Sequence, residues 1–148
     1  MAILADVVRS SYLLSGLTPE QQDKVLALAT EKVFDGGEQV VRQFAKDADV
    51  LIVIEGKCRV NSFSGEMIAE PGPGSVIGEM SLIDDKPRSA TVVATGRVQT
   101  AVISNPKLWA LMNDDPAIGK QILLNLARIL TERLRRANID LSSNSSRV

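Results

Sequence analysis

Apolar and polar positions along the chain change period twice. Residues 2–31 repeat apolar side chains at helical spacing, residues 32–104 alternate or cluster them in short runs, and helical spacing returns from residue 105. In the first stretch Ile3, Leu4, Val7 and Val8 predict a short helix within 2–14, broken by Ser15-Gly16-Leu17. Thr18 then has the features of an N-cap. Pro19 follows at the first helical position, and Gln21 stands where its amide can reach back to the cap. This second helix carries Val25, Leu26, Leu28 and Ala29 and is expected to end near Glu31.

In the middle stretch, strands are predicted near 32–34, 38–43, 49–55, 57–63, 66–70, 75–77, 89–94 and 97–104. Asp35-Gly36-Gly37, Glu55-Gly56-Lys57, Ser64-Gly65, Pro71-Gly72-Pro73-Gly74 and Thr95-Gly96 supply the turns. Eight short strands at this spacing suit a barrel or jelly roll. The expected class is α+β: an eight-stranded antiparallel β-barrel with helices before and after it. Residues 1–148 read as one domain, with a helical lead-in over 1–31, the barrel over 32–104, trailing helices over 105–141 and a polar, fraying tail over 142–148.

Asn105-Pro106 predicts the cap and first residue of a helix through about Asn113. Asp115-Pro116 repeats the device and starts a longer helix to about Leu141. That helix carries two apolar stripes. Ile118, Ile122, Leu126 and Ile129 form one; Leu123, Ala127, Leu130, Leu134, Ala137 and Leu141 form the other. Gln121, Asn125, Arg128, Glu132 and Arg135 are assigned to the polar face. One stripe can cover the barrel. The second either widens the core-facing surface or needs a partner, such as a twin helix in a homodimer. Arg133, Arg135 and Arg136 near the helix end suit the helix dipole better than a nucleic-acid surface. No helix-turn-helix pattern follows, so direct DNA binding is not expected.

Composition narrows the function. Hydrophobic residues make up 45% of the chain and charged residues 24%, with a net charge of -1, which gives no electrostatic pull toward nucleic acid or an anionic membrane. The longest apolar run, Val50-Leu51-Ile52-Val53-Ile54, is far short of the roughly 20 residues that span a bilayer. With no secretory pattern at the amino terminus either, a cytoplasmic location is expected. The chain reads as a free-standing domain or, equally, as a piece of a channel, kinase or transcription factor. Cys58 is the single cysteine and sits in an alternating strand, so it reads as a packed side chain rather than a reactive thiol. Histidine is absent, which removes the commonest general base and the commonest metal ligand. No catalytic residue, metal or cofactor is expected. A metalloenzyme on such a barrel would need clustered ligands that this chain lacks.

The candidate chemistry lies in Gly78-Glu79-Met80-Ser81-Leu82 and, after four residues, Pro87-Arg88-Ser89-Ala90-Thr91-Val92. Gly78 permits a sharp turn or close approach of a ligand to the backbone. The next residues are long enough for one helical turn, whose first N–H groups can meet an anion. Arg88 offers a planar fork of donors that suits phosphate, and Ser89 adds a hydroxyl beside it. A carboxylate at Glu79 would repel an anion unless the ligand also carries hydroxyls, as a ribose phosphate does. The simpler alternative is that Glu79 and Arg88 pair with each other on a loop.

The run resembles the phosphate-binding cassette of the cyclic nucleotide-binding domain family, to which the bacterial catabolite activator protein and the protein kinase A regulatory subunits belong. The cassette spans 78–92. Gly78, Glu79, Met80, Ser81, Leu82, Pro87, Arg88, Ala90, Thr91 and Val92 all match its pattern. Gly56 and Gly74 fall where the family also has glycine, and Leu13-Leu14-Ser15-Gly16-Leu17-Thr18 resembles its helical lead-in. Phe44-Ala45-Lys46-Asp47-Ala48-Asp49 departs from the glycine- and aspartate-rich turn usual there, which predicts a different loop shape.

The resemblance implies a sensor of a cyclic mononucleotide. Glu79 would accept from the ribose 2′-hydroxyl and Arg88 would pair with the cyclic phosphate. Backbone N–H groups after Gly78, at Met80 and Ser81, and again at Ala90, would meet phosphate oxygens, with Ser89 adding its hydroxyl. Serine directly after the arginine leans toward cyclic AMP over cyclic GMP. Cys58, Val60 and Thr91 are the expected base-side wall. Leu126, Ile129, Leu130 and Arg133 are candidates for the cap that the last helix places over the base. The output would be movement of the C-terminal helices, transmitted by Leu82 and Ile83. The other reading is a non-binding relic that serves as a dimerisation or scaffold module.

Overall fold

A computed structural model describes residues 3–41, 49–62, 64–65, 67–84 and 90–145, with side chains to residue 138. The lead-in comprises α1 (Leu4–Ser10), a 3₁₀ turn (Tyr12–Leu14) and α2 (Pro19–Leu26). Eight strands follow: β1 (Ala29–Phe34), β2 (Gln39–Val41), β3 (Val50–Glu55), β4 (Cys58–Asn61), β5 (Met67–Ala69), β6 (Val76–Ile77), β7 (Thr91–Ala94) and β8 (Val98–Ile103). A second 3₁₀ turn (Glu79–Leu82) lies between β6 and β7 and is called the cassette turn below. α3 (Asn105–Asp114) and α4 (Pro116–Ser145) complete the chain. Among the described residues no helix is long and apolar enough to cross a membrane.

The strands form two four-stranded sheets, ordered β1-β8-β3-β6 and β2-β7-β4-β5, with antiparallel pairing throughout. The eight antiparallel strands and flanking helices agree with the expected jelly roll, but the strands lie in two separate sheets rather than a closed barrel. Among the described residues no ladder joins an edge of one sheet to an edge of the other.

β3 explains why its apolar run is unbroken. Val50, Ile52 and Ile54 face a core shared with the helices, which includes Val8, Leu13, Leu14, Val25, Ala101, Leu108 and Ile122. Leu51 and Val53 face a second core between the sheets with Phe34, Val41, Cys58, Val92 and Val98. A strand buried on both faces needs no polar alternation.

Local sequence signals set most helix ends. Thr18 Oγ1 accepts from the Gln21 N–H at 3.2 Å, and Gln21 Oε1 accepts from the Thr18 N–H at 2.9 Å, a full capping box. α2 stops at Leu26 rather than near Glu31, because Ala29 to Phe34 pair with Ile103 to Val98 along β8. α3 is capped by Ser104, not Asn105: the Ser104 hydroxyl accepts from the Lys107 N–H, while the Asn105 side chain is drawn elsewhere. α4 continues to Ser145, so residues 142–145 are helical rather than frayed; 146–148 lie outside the described residues, as do 44–48 of the unusual loop.

Ile118, Ile122 and Leu126 bury one stripe of α4 completely. Asn125 also turns inward, against its assignment to the polar face. It is 4% exposed, and its Nδ2 donates to the Leu13 carbonyl at 2.9 Å and the Ser15 carbonyl at 2.8 Å. Gln121 Nε2 donates to Asn125 Oδ1 at 3.0 Å, so the amide is paired on both ends. Leu123, Ala127, Leu130 and Leu134 remain exposed, so the second stripe does not widen the core-facing surface. Across the first turn of α4, Lys24 Nζ meets Asp115 Oδ2 at 3.1 Å.

Candidate functional site

A cavity of about 1090 Å³ opens between the second sheet, the cassette turn and the far half of α4. That is at the upper end for small-molecule clefts, which run about 300–1,000 Å³. Val60 from β4, Ile68 and Ala69 from β5, Val76 and Ile77 from β6 and Val92 from β7 form apolar walls. Its polar lining includes Glu70 and Ser75 before β6 and, at the end formed by the cassette turn, Glu79, Ser81 and the following Asp84.

Gly78 makes that end possible. It adopts φ 81° and ψ 15°, the left-handed region that side-chain-bearing residues disfavour, and so swings the chain from β6 straight into the turn. Glu79 follows immediately and is carried inward. Its residue surface is 4% exposed, yet it lines the cavity. A buried carboxylate needs a counter-charge or donors. Arg133 of α4 supplies one, with Nη2 at 2.9 Å from Glu79 Oε1.

The back of the turn is tied to α3. Asn105 Nδ2 donates to the Ser81 carbonyl at 3.0 Å, and Trp109 Nε1 donates to the Leu82 carbonyl at 3.0 Å. Leu82 is buried in the core shared with the helices, whereas Ile83 is 54% exposed and makes no such link. The turn is therefore a rigid piece between the cavity and α3, with Leu82 rather than Ile83 joining it to the helical core.

Gly78, Glu79, Met80, Ser81 and Ala90 all line the cavity. Arg88 and Ser89 lie outside the described residues. Of the expected base-side residues, Val60, Ile129 and Arg133 line the cavity. Cys58, Thr91, Leu126 and Leu130 do not. Cys58 is fully buried between the sheets, where burial pushes its thiol pKa up. Thr91 yields its place to the next residue, Val92, because successive side chains on a strand face opposite ways. Leu126 is fully buried in the helical core, and Leu130 is turned to solvent.

Tyr12 was not anticipated. Its ring reaches the cavity from the lead-in turn, and its hydroxyl oxygen is buried. Burial first, then the negative charge of Glu79, raise its pKa well above that of an ordinary phenol, against the opposing charge of Arg133. The hydroxyl lies beside that carboxylate, which raises the pKa both by its charge and as a hydrogen-bond acceptor, although no well-formed hydrogen bond joins the two. A lone tyrosine in a short leucine-rich segment carries no signal that it will meet residues so distant in sequence.

Comparison with known proteins decides what this arrangement belongs to. The family model of the cyclic nucleotide-binding domain matches residues 31–115. The chain belongs to the cyclic nucleotide-binding domain family. It is 30% identical over 138 residues to the cyclic AMP receptor protein of Thermus thermophilus, covering 90% of this chain and 62% of that protein. It is 34% identical over 118 residues to a cAMP-dependent protein kinase regulatory subunit of Yarrowia lipolytica, covering 80% of this chain and 28% of that one. The crystal structure of the Thermus thermophilus catabolite activator protein superposes with a TM-score of 0.78 at 31% identity, over 91% of this chain and 63% of that one. The chain thus spans less than two thirds of the length of these relatives. The family match runs from residue 31 to residue 115, so Tyr12 and Arg133, which both line the cavity, lie outside it.

Proposed function

We propose that this cyclic nucleotide-binding domain takes up a cyclic mononucleotide in the cavity, cyclic AMP in preference to cyclic GMP, and acts as a regulatory module rather than an enzyme. The observation that carries the reading is Glu79: a buried carboxylate on a cavity wall, held by a cation from a different element. A ribose 2′-hydroxyl would give that carboxylate a donor in place of Arg133. The cyclic phosphate would pair with Arg88 and lie against the backbone of Met80, Ser81 and Ala90. The names of the relatives, a cyclic AMP receptor and a cAMP-dependent kinase regulatory subunit, support cyclic AMP, as does Ser89.

Binding would be transmitted along existing bonds. A ligand that takes Glu79 from Arg133 loosens α4. A ligand that moves the cassette turn pulls on Asn105 and Trp109 of α3. Nucleotide can shift that equilibrium only by its differential affinity for the two arrangements. The exposed stripe of Leu123, Leu130 and Leu134 would serve as a homodimer contact, without direct DNA binding by this segment. The same stripe favours the second reading, a scaffold module whose cavity no longer binds. Calorimetric titration with cyclic AMP and cyclic GMP separates the two: one-site binding at micromolar or tighter affinity supports the sensor, and no heat with either nucleotide supports the scaffold.

A further inference from the structure

Among the described residues Tyr12 alone brings the lead-in to the cavity wall. Its hydroxyl oxygen is buried and has no hydrogen-bond partner among the described residues. Buried polar groups are normally paired, because an unpaired one has lost its hydration without replacement. The backbone that carries this group is firmly held. Leu13 and Leu14 are fully buried, and Asn125 of α4 donates to the carbonyls of Leu13 and Ser15 on the following stretch of chain. The hydroxyl is thus held by a fixed segment at the cavity wall, covered beside Glu79 and Arg133 in the nucleotide-free protein, and a ligand that displaces Arg133 would uncover it. Its raised pKa keeps it a proton donor throughout the neutral range.

A buried donor with no well-formed hydrogen bond, next to the carboxylate that would meet the sugar, has a complement in an oxygen brought by the ligand. We propose that Tyr12 is a further contact of this site, its hydroxyl donating to an oxygen on the ribose side of the bound cyclic nucleotide. The inference rests on the cyclic-nucleotide reading of the cavity. It adds a third element to the response: the ligand would then touch the cassette turn through Glu79, displace α4 at Arg133, and engage the lead-in at Tyr12.

Tyr12→Phe tests this, because a ligand-facing hydroxyl and a structural one predict opposite results. Deleting a donor that has no partner in the empty protein leaves nucleotide-free stability unchanged or raises it, and deleting the ligand's donor weakens binding by about tenfold. Wild type and Tyr12→Phe are titrated with cyclic AMP and cyclic GMP, and both nucleotide-free proteins are unfolded in urea. Undiminished stability with about tenfold weaker binding of the preferred nucleotide supports the contact. Equal affinities overturn it and leave the cyclic-nucleotide reading intact. Lower stability of nucleotide-free Tyr12→Phe also overturns it, since the hydroxyl would then have a partner already. A wild type that binds neither nucleotide overturns both readings.

Discussion

Arg133 Nη2 stands 2.9 Å from Glu79 Oε1 and so joins the last helix to the one carboxylate that the cassette turn buries. The two ends of the pair differ in environment: the Arg133 side chain is 52% exposed and that of Glu79 is 5% exposed. Water screens the arginine end, while the carboxylate would be left without compensation if the pair were broken. Arg133→Ala is therefore expected to destabilise the nucleotide-free protein by about 1–2 kcal/mol, less than the loss of a fully buried pair. Urea unfolding measures this, and an unchanged midpoint would reduce the pair to a surface contact.

Binding should depend on the two charges of the cassette unequally. Arg88→Ala truncates one side of a desolvated charge pair with phosphate, and such losses cost about 2–5 kcal/mol, or roughly 30-fold to several thousand-fold in affinity. Glu79→Gln keeps the shape and loses a charge-assisted hydrogen bond, for about 1–2 kcal/mol. Calorimetry on the two variants should rank them in that order, and wild-type affinity in Arg88→Ala would remove the cassette assignment.

Asn125 holds α4 to the lead-in through two backbone carbonyls that lie 112 and 110 residues away in sequence. Asn125→Ala leaves both acceptors and the Gln121 amide without their partner in a buried place. A loss of about 2–4 kcal/mol is expected, summed over the abandoned groups. Thermal and urea unfolding should agree on it, and a loss below about 0.5 kcal/mol would mean that water replaces the amide without cost.

Trp109 is the only tryptophan in the chain and donates its indole N–H to the Leu82 carbonyl of the cassette turn. Its fluorescence should report movement of that turn directly. Saturating cyclic AMP is expected to shift or quench the emission, and Trp109 should respond with the same midpoint as the calorimetric titration. An unaltered spectrum at saturation would show that α3 does not sense the cavity.

Alkaline pH should weaken the fold in a defined window. Burial holds the Cys58 thiol above its ordinary value of 9.0, and burial and then Glu79 hold the Tyr12 phenol above its ordinary 10.0. In the unfolded chain both groups ionise at those ordinary values, so their contribution is fully present below about pH 9 and is lost as pH rises beyond it. On the acid side the sign reverses. The hydrogen bond from Lys24, as the main cause, lowers the Asp115 pKa below 3.8, and that contribution is lost as pH falls through the acid range. Stability curves against pH in wild type and Cys58→Ala test the alkaline limb. Slow reaction of Cys58 with a thiol reagent at pH 8, becoming fast in urea, would accompany it.

Much of this architecture is legible in the order of residues because it is local. A capping box needs only Thr18 and Gln21 at the right spacing, and the left-handed start of the cassette turn needs only a glycine at 78. The alternation in β3 follows from a pleat of period two, so Val50, Ile52 and Ile54 must share one face. The motif from Gly78 to Val92 marked the wall of the cavity that Gly78 to Ser81 and Ala90 line. What stayed hidden depends on surfaces brought together across the chain. Whether Ala29 to Glu31 extend a helix or pair with β8 is settled by a ladder with residues 101–103, not by propensity. Asn125 reads as a surface residue of an amphipathic helix, Arg133 as one of four candidates for the cap over the base, and Tyr12 as part of a short apolar lead-in. Their partners, the carbonyls of Leu13 and Ser15 and the carboxylate of Glu79, become neighbours only after α4 has packed its Ile118–Ile122–Leu126 stripe against the rest. Hydrophobic burial sets where that helix lies, and the lie of the helix then selects which of its polar side chains find charges and carbonyls within 3 Å.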